Sequence, residues 1–140
     1  MLATLKHKNI VTYKDHFVQR DKNLLIIVMN YYPSKYPISN HFIEGDLAKN
    51  IEKNRMKNKA FSEETVTKWF DQLCSALIYL DSKGIIHRDL KPQNILLNGA
   101  NSVVIGDLGI SKILGTNTSI PGHYGTGTSC YKAPEIWNGQ

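Results

Sequence analysis

The chain has 140 residues, enough for one small domain with its own core. With 41% hydrophobic and 21% charged residues it has ordinary globular composition, and no apolar run approaches the ~20 residues that span a membrane. The net charge of +5 suits partners that carry phosphate, but no nucleic-acid motif accompanies it, and much of it lies in residues 49–59, as expected of a solvated helical face.

Cys74 and Cys130 are far apart and form no disulfide or metal-ligand pattern, and the five histidines are scattered. No signal-peptide apolar stretch follows Met1. The expectation is a reduced, cytoplasmic setting, with nuclear or cytoskeletal association open, and neither membrane nor nucleic acid as partner.

Leu2 and Leu5 read as the tail of a helix that turns over residues 7–9 into a strand at 10–13. Asp21-Lys22-Asn23 is a hairpin turn, and the unbroken run Leu24-Leu25-Ile26-Ile27-Val28-Met29 predicts a strand buried on both faces. Residues 33–42, rich in Pro, Ser, Asn and Tyr, form a surface loop, either a tolerated extension or a docking insert. Glu44-Gly45-Asp46-Leu47 opens a helix, with Asp46 favourable at its N-terminus.

The clearest helix covers residues 62–82. Ser62 can cap it, Glu63 and Glu64 complement its dipole, and Lys83-Gly84 stops it. Val66, Trp69, Phe70, Leu73, Leu77 and Leu80 recur at three- and four-residue steps and predict one core-facing stripe. Residues 95–97 and 103–105 make a small hairpin around Asn98-Gly99-Ala100-Asn101-Ser102. Residues 111–126 are polar, glycine-punctuated and unperiodic, and predict a mobile segment.

Between helix and hairpin lies His87-Arg88-Asp89-Leu90-Lys91-Pro92-Gln93-Asn94, a polar loop pinned by Ile85-Ile86 and Ile95-Leu96-Leu97. Gly106-Asp107-Leu108-Gly109 and Ala133-Pro134-Glu135 follow. This ordered set resembles the eukaryotic protein kinases, with Leu108 where phenylalanine is usual. Finer similarity, in Glu44-Gly45-Asp46-Leu47, Gln93-Asn94-Ile95-Leu96-Leu97 and Gly106-Asp107-Leu108-Gly109-Ile110-Ser111-Lys112, is to the NIMA-related kinases. Ala133, where that group often has serine, and the 33–42 loop depart from it.

The resemblance implies an α+β protein-kinase-like fold, incomplete: 1–29 the end of the N-lobe, 30–45 hinge and insert, 46–140 the C-lobe with catalytic loop and activation segment. It implies ATP and Mg²⁺ as cofactors and protein Ser/Thr hydroxyls as acceptors. Asp89 would orient the attacking hydroxyl, Lys91 would neutralise the transferred phosphoryl group, and Asn94 and Asp107 would hold magnesium. Thr128 would bridge Asp89 and Lys91, a Ser/Thr-kinase feature.

On the same resemblance, Met29 is the gatekeeper, Asn30, Tyr31 and Tyr32 the hinge, Leu96 the floor beneath adenine, and Asp46 a candidate for the ribose. Tyr13, His87, Leu108 and Leu2 fall where a stacked spine would lie. Arg88 would receive a phosphorylated activation segment, with Tyr124 in the usual site and Ser119 and Thr126 the nearest hydroxyls, modified by an upstream kinase or by autophosphorylation. The glycine-rich loop and strand lysine of kinases have no match here, so the isolated piece is expected to be inactive and poorly covered. The other reading open at this point is a non-catalytic, truncated scaffold module.

Overall fold

The computed structural model describes residues 4–30, 45–99, 101–108, 112–113 and 128–134. Expectations for Leu2, Tyr31, Tyr32, the 33–42 loop, Gly109, Ile110, Ser111, Ser119, Tyr124, Thr126 and Glu135 lie outside them. The elements are β1 (Tyr13–Gln19), β2 (Leu24–Met29), α1 (Leu47–Met56), α2 (Glu63–Ser82), β3 (Ile85–Ile86), β4 (Ile95–Leu97), β5 (Val103–Ile105) and β6 (Lys112–Ile113). Three antiparallel pairs result: β1 with β2, β3 with β6, and β4 with β5. The mixture of small sheets and two helices is the expected α+β arrangement.

Local chemistry sets the helix ends. Asp46 caps α1 by accepting from the Lys49 amide, and Ser62 caps α2 by accepting from Thr65. Gly84, at φ 66°, ends the turn after α2 in the left-handed region. The core forms along one face of α2. One cluster joins Leu5, Ile10, Ala76, Leu80, Ile85, Ile105 and Leu108, and a second joins Trp69, Ile95, Leu97 and Val103. Phe61 meets the Trp69 ring edge-on at 5.0 Å between centroids. Among the described residues no helix is long and apolar enough to cross a membrane.

Three expectations change. The strand expected at 10–13 begins only at Tyr13, because residues 9–11 spend their backbone on β5 instead. Ile105 N donates to Asn9 O and Val11 N to Ile105 O, each at 2.8 Å. The α2 stripe is narrower than its periodicity suggests: Trp69, Ala76 and Leu80 are buried, whereas Val66 and Phe70 point outward. The third change concerns β2, where burial on both faces gives way to the poor coverage expected of the isolated piece. Leu25 is 61% exposed and every other residue of β2 except Ile26 is open. A two-stranded ribbon presents two faces, and apolar residues occupy both.

Val18 and Leu25 sit opposite each other on one of those faces. Replacing them with Val18→Lys and Leu25→Glu puts a cross-strand ion pair on an open surface. The expected result is lower binding of a hydrophobic dye and less aggregation, with the unfolding midpoint unchanged. A fall in midpoint with dye binding retained would contradict the exposed ribbon.

Candidate active site

Helix α2 delivers the chain into β3, whose Ile85 is buried in the first core cluster, and this fixes where the polar loop starts. The first residue of the loop, His87, is buried. Its Nε2–H donates to Gly106 O at 2.9 Å while its Nδ1 accepts from Asp89 N at 3.3 Å. These two partners together require the Nε2–H tautomer. The imidazole therefore ties the start of the loop to the end of β5. Arg88 follows at φ 70°, a left-handed conformation that a long side chain rarely adopts.

Asp89 is the hub. Its Oδ1 accepts from Thr128 N and Thr128 Oγ1, each at 2.9 Å. Its Oδ2 faces Lys91 Nζ at 2.7 Å and Asn94 Nδ2 at 3.1 Å. Lys91 Nζ also donates to Thr128 Oγ1 at 2.6 Å, closing a triangle, and Asn94 Nδ2 also holds Asp89 O at 2.8 Å. Burial pushes the Asp89 carboxyl up, but the Lys91 and Thr128 hydrogen bonds and the Lys91 charge outweigh it and hold its pKa at about 2. Asp89 is therefore an anion, able only to accept, throughout the neutral range.

Because this pKa lies below the ordinary 3.8, the stability Asp89 contributes is complete above 3.8 and is lost as pH falls through about 2. Thr128→Ala removes one of its two donors and should move the Asp89 titration upward, toward the ordinary value. Carboxyl-carbon NMR over the acid range reads this directly; an unmoved titration would mean that the hydroxyl does not bear on the carboxylate.

Asp107 comes to the same neighbourhood through Gly106, whose N–H donates to Asn94 O at 2.8 Å. A Cβ on Gly106 would meet Leu96 Cδ1 at 3.4 Å and Asn94 O at 3.6 Å, ordinary contact distances that show how closely the hairpin packs on this residue. Asp107 is exposed and, at φ 50°, also left-handed. Among the described residues no three His, Cys, Asp or Glu side chains group as a metal site. Magnesium needs no such cluster, since it takes one or two protein oxygens with phosphate and water completing its shell. Committing Asn94 Nδ2 to Asp89 turns its Oδ1 away from that carboxylate. An amide oxygen with the Asp107 carboxylate is a donor set of the right hardness, so these residues fit the ion.

The residues expected on the nucleotide side are described less completely. Met29 ends β2 opposite Tyr13, and the Asn30 N–H is taken by Thr12 O at 2.8 Å, so it is already spent within the β1–β2 hairpin. Leu96 is half-buried beside Gly106 and bridges to Asp46. Asp46 spends Oδ1 on the Lys49 amide at 2.9 Å and Oδ2 on Lys49 Nζ at 3.2 Å, so any ribose contact would compete with the helix cap. Burial pushes its carboxyl up, while these Lys49 contacts hold it below the usual range.

Leu108 and His87 are buried as the expected spine requires, but Tyr13 turns its hydroxyl to His16 and does not join the core clusters. The sequence reading missed the His87–Gly106 tie, whose only signal was a glycine just before an aspartate. It also missed a buried network in which Asn9 Nδ2 donates to Gln72 Oε1 at 2.9 Å and Val103 O at 2.7 Å.

A buried aspartate gripped by a lysine, an asparagine and a distant threonine matches a known class. The protein kinase domain family model covers residues 1–140, and the chain belongs to that family. It is 40% identical over 139 residues to the probable serine/threonine-protein kinase nek3 of Dictyostelium discoideum and 38% over 136 residues to the serine/threonine-protein kinase Nek1 of Mus musculus. It is 37% identical over 143 residues to the serine/threonine-protein kinase Nek2 of Homo sapiens. These alignments take in 97%, 97% and 99% of this chain but 11%, 10% and 30% of the three relatives. The chain therefore spans about a tenth of the first two. The expected similarity to the NIMA-related kinases is borne out.

Proposed function

We propose that residues 1–140 carry the catalytic loop of a serine/threonine protein kinase, which transfers the γ-phosphate of ATP to Ser and Thr hydroxyls of proteins. The observation that carries this reading is the triangle of Asp89, Lys91 and Thr128, with every edge between 2.6 and 2.9 Å. Phosphoryl transfer demands positioning and charge neutralisation more than covalent chemistry. In this reading Asp89, held anionic, accepts a hydrogen bond from the acceptor hydroxyl and aligns it. Lys91 balances negative charge at the transferred group. Thr128 sets the depth at which substrate backbone approaches the loop, a depth that suits a short aliphatic hydroxyl rather than a tyrosine ring.

Protein kinases generally use ATP with magnesium. Asn94 and Asp107 would hold the ion here, where it supplies charge neutralisation on the phosphates. Met29, Asn30, Tyr31, Tyr32 and Leu96 would line the base, with Asp46 near the ribose. Residues 1–29 would close the N-lobe, 30–45 form the hinge, and 46–140 begin the C-lobe. Arg88 would receive a phosphate carried at Ser119, Tyr124 or Thr126. A scaffold needs none of the contacts on Asp89, which disfavours that alternative.

The test uses the complete kinase domain containing these residues, with γ-labelled ATP, Mg²⁺ and matched peptides presenting Ser, Thr or Tyr. Label on Ser and Thr is expected. No transfer, or a preference for Tyr, would overturn the reading.

A further inference from the structure

The charge of this chain is unevenly placed. Residues 47–61 contain Lys49, Lys53, Arg55, Lys57 and Lys59 against Glu52 alone, so four of the net five positive charges lie there. We propose that the outward face of α1 is a docking surface for acidic polypeptide. Resting on the kinase reading, we further propose that it selects protein substrates with acidic residues flanking the acceptor.

Helical spacing brings the charges together. Positions 49, 53 and 56 fall on one arc of α1, with the C-cap residue Lys57 at its edge beside buried Asn50. The Lys49 side chain is 77% exposed and Met56 is 78% exposed. Beyond the helix, Asn58 at φ 49° turns the chain, and Lys59 N returns to Asn54 O, so Lys59 stays beside the same end. Complementing the helix dipole accounts for basic residues at the C-terminal end of α1. It does not account for an open methionine among lysines, although Lys49, in the first turn, is held by the Asp46 carboxylate at 3.2 Å.

The surface also begins at the candidate active site. Helix α1 packs on the Pro92–Asn94 turn and on β4, and Leu97 N donates to Gly45 O at 3.1 Å just before the cap. A peptide lying from the catalytic loop along α1 would meet lysines at successive turns. Two features favour polypeptide over nucleic acid: the one aromatic of residues 47–61, Phe61, packs edge-on against Trp69, and Met56 offers an apolar seat between the charges.

The experiment measures fluorescence anisotropy of a labelled peptide carrying one Ser between Glu residues, against the same peptide with Gln for every Glu. The protein is the complete kinase domain, as wild type, as Lys53→Glu with Lys57→Glu, and as Asp89→Asn. The wild type should bind the acidic peptide about tenfold more tightly at low salt, an advantage that shrinks as salt approaches about 300 mM. The lysine variant should lose that advantage and raise KM for the acidic peptide with kcat unchanged, while Asp89→Asn should still bind it. Equal affinity for the two peptides, an unaffected lysine variant, or tighter binding of an oligonucleotide of equal charge would each overturn the docking proposal. Acidic-peptide binding without phosphoryl transfer would support docking while sinking the kinase reading, and transfer without an acidic preference would sink docking alone.

Discussion

Asp89→Asn in the complete kinase domain is expected to lower turnover by about a thousandfold, the range for loss of a positioned general base. KM for ATP should stay within about twofold, because in the proposed reading the carboxylate would serve the acceptor hydroxyl rather than the nucleotide. Asparagine keeps the shape but presents an NH₂ group where Lys91 Nζ at 2.7 Å or the Thr128 donors at 2.9 Å expect an acceptor. Thr128→Ala retains the backbone donor and loses the hydroxyl, so a milder fall, about tenfold, should appear in kcat alone. Steady-state kinetics with Ser peptides measures both. A variant at Asp89 that kept a tenth of wild-type turnover would remove it from the centre of the mechanism.

Asn9→Leu should cost about 3 kcal/mol of stability, read from urea unfolding. Asn9 is 2% exposed, and its Nδ2 joins Gln72 on α2 to Val103 O on β5. Its Oδ1 has no partner among the described residues, so Nδ2 carries the side chain's share of the contact. Leucine would leave Val103 O without its buried donor and force a branched side chain against a packed strand. Gln72 also accepts from Val103 N at 2.9 Å and donates to Asn101 O at 2.7 Å, so the network fastens the β4–β5 hairpin to α2. A loss below about 0.5 kcal/mol would show that the turn at residues 7–9 is held by its backbone alone.

What could be read from the sequence was mostly local chemistry. Asp46 and Ser62 cap their helices, Gly84 ends the second, and the β4–β5 hairpin pairs in the expected place, because each depends on a few neighbouring residues. What escaped depended on tertiary partners. The apolar run in β2 carries no record of whether a second layer covers it, and it lies open. The sequence of β1, Tyr-Lys-Asp-His-Phe-Val-Gln, lacks clean alternation, so its length emerged only through its pairing with β2. Val66 and Phe70 satisfied the helical period yet face outward, since periodicity selects an arc and packing decides how much of it is covered. The site residues Asp89, Lys91, Asn94 and Thr128 were found through their motif. The Thr128 bridge to Asp89 and Lys91 is expected from the same motif, whereas the Asn94 contact to Asp89 and the use of His87 as a tie to Gly106 depend on folding.

The grip of Thr128 on Asp89 also has a meaning in polymer terms, because it joins points 39 residues apart. Closing a loop costs entropy that grows only with the logarithm of its length, so doubling the intervening chain adds about 0.6 kcal/mol. The clasp therefore depends far more on its hydrogen bonds than on the length of chain between them. By this argument, a few residues inserted between Ile113 and Thr128 should leave the clasp closed.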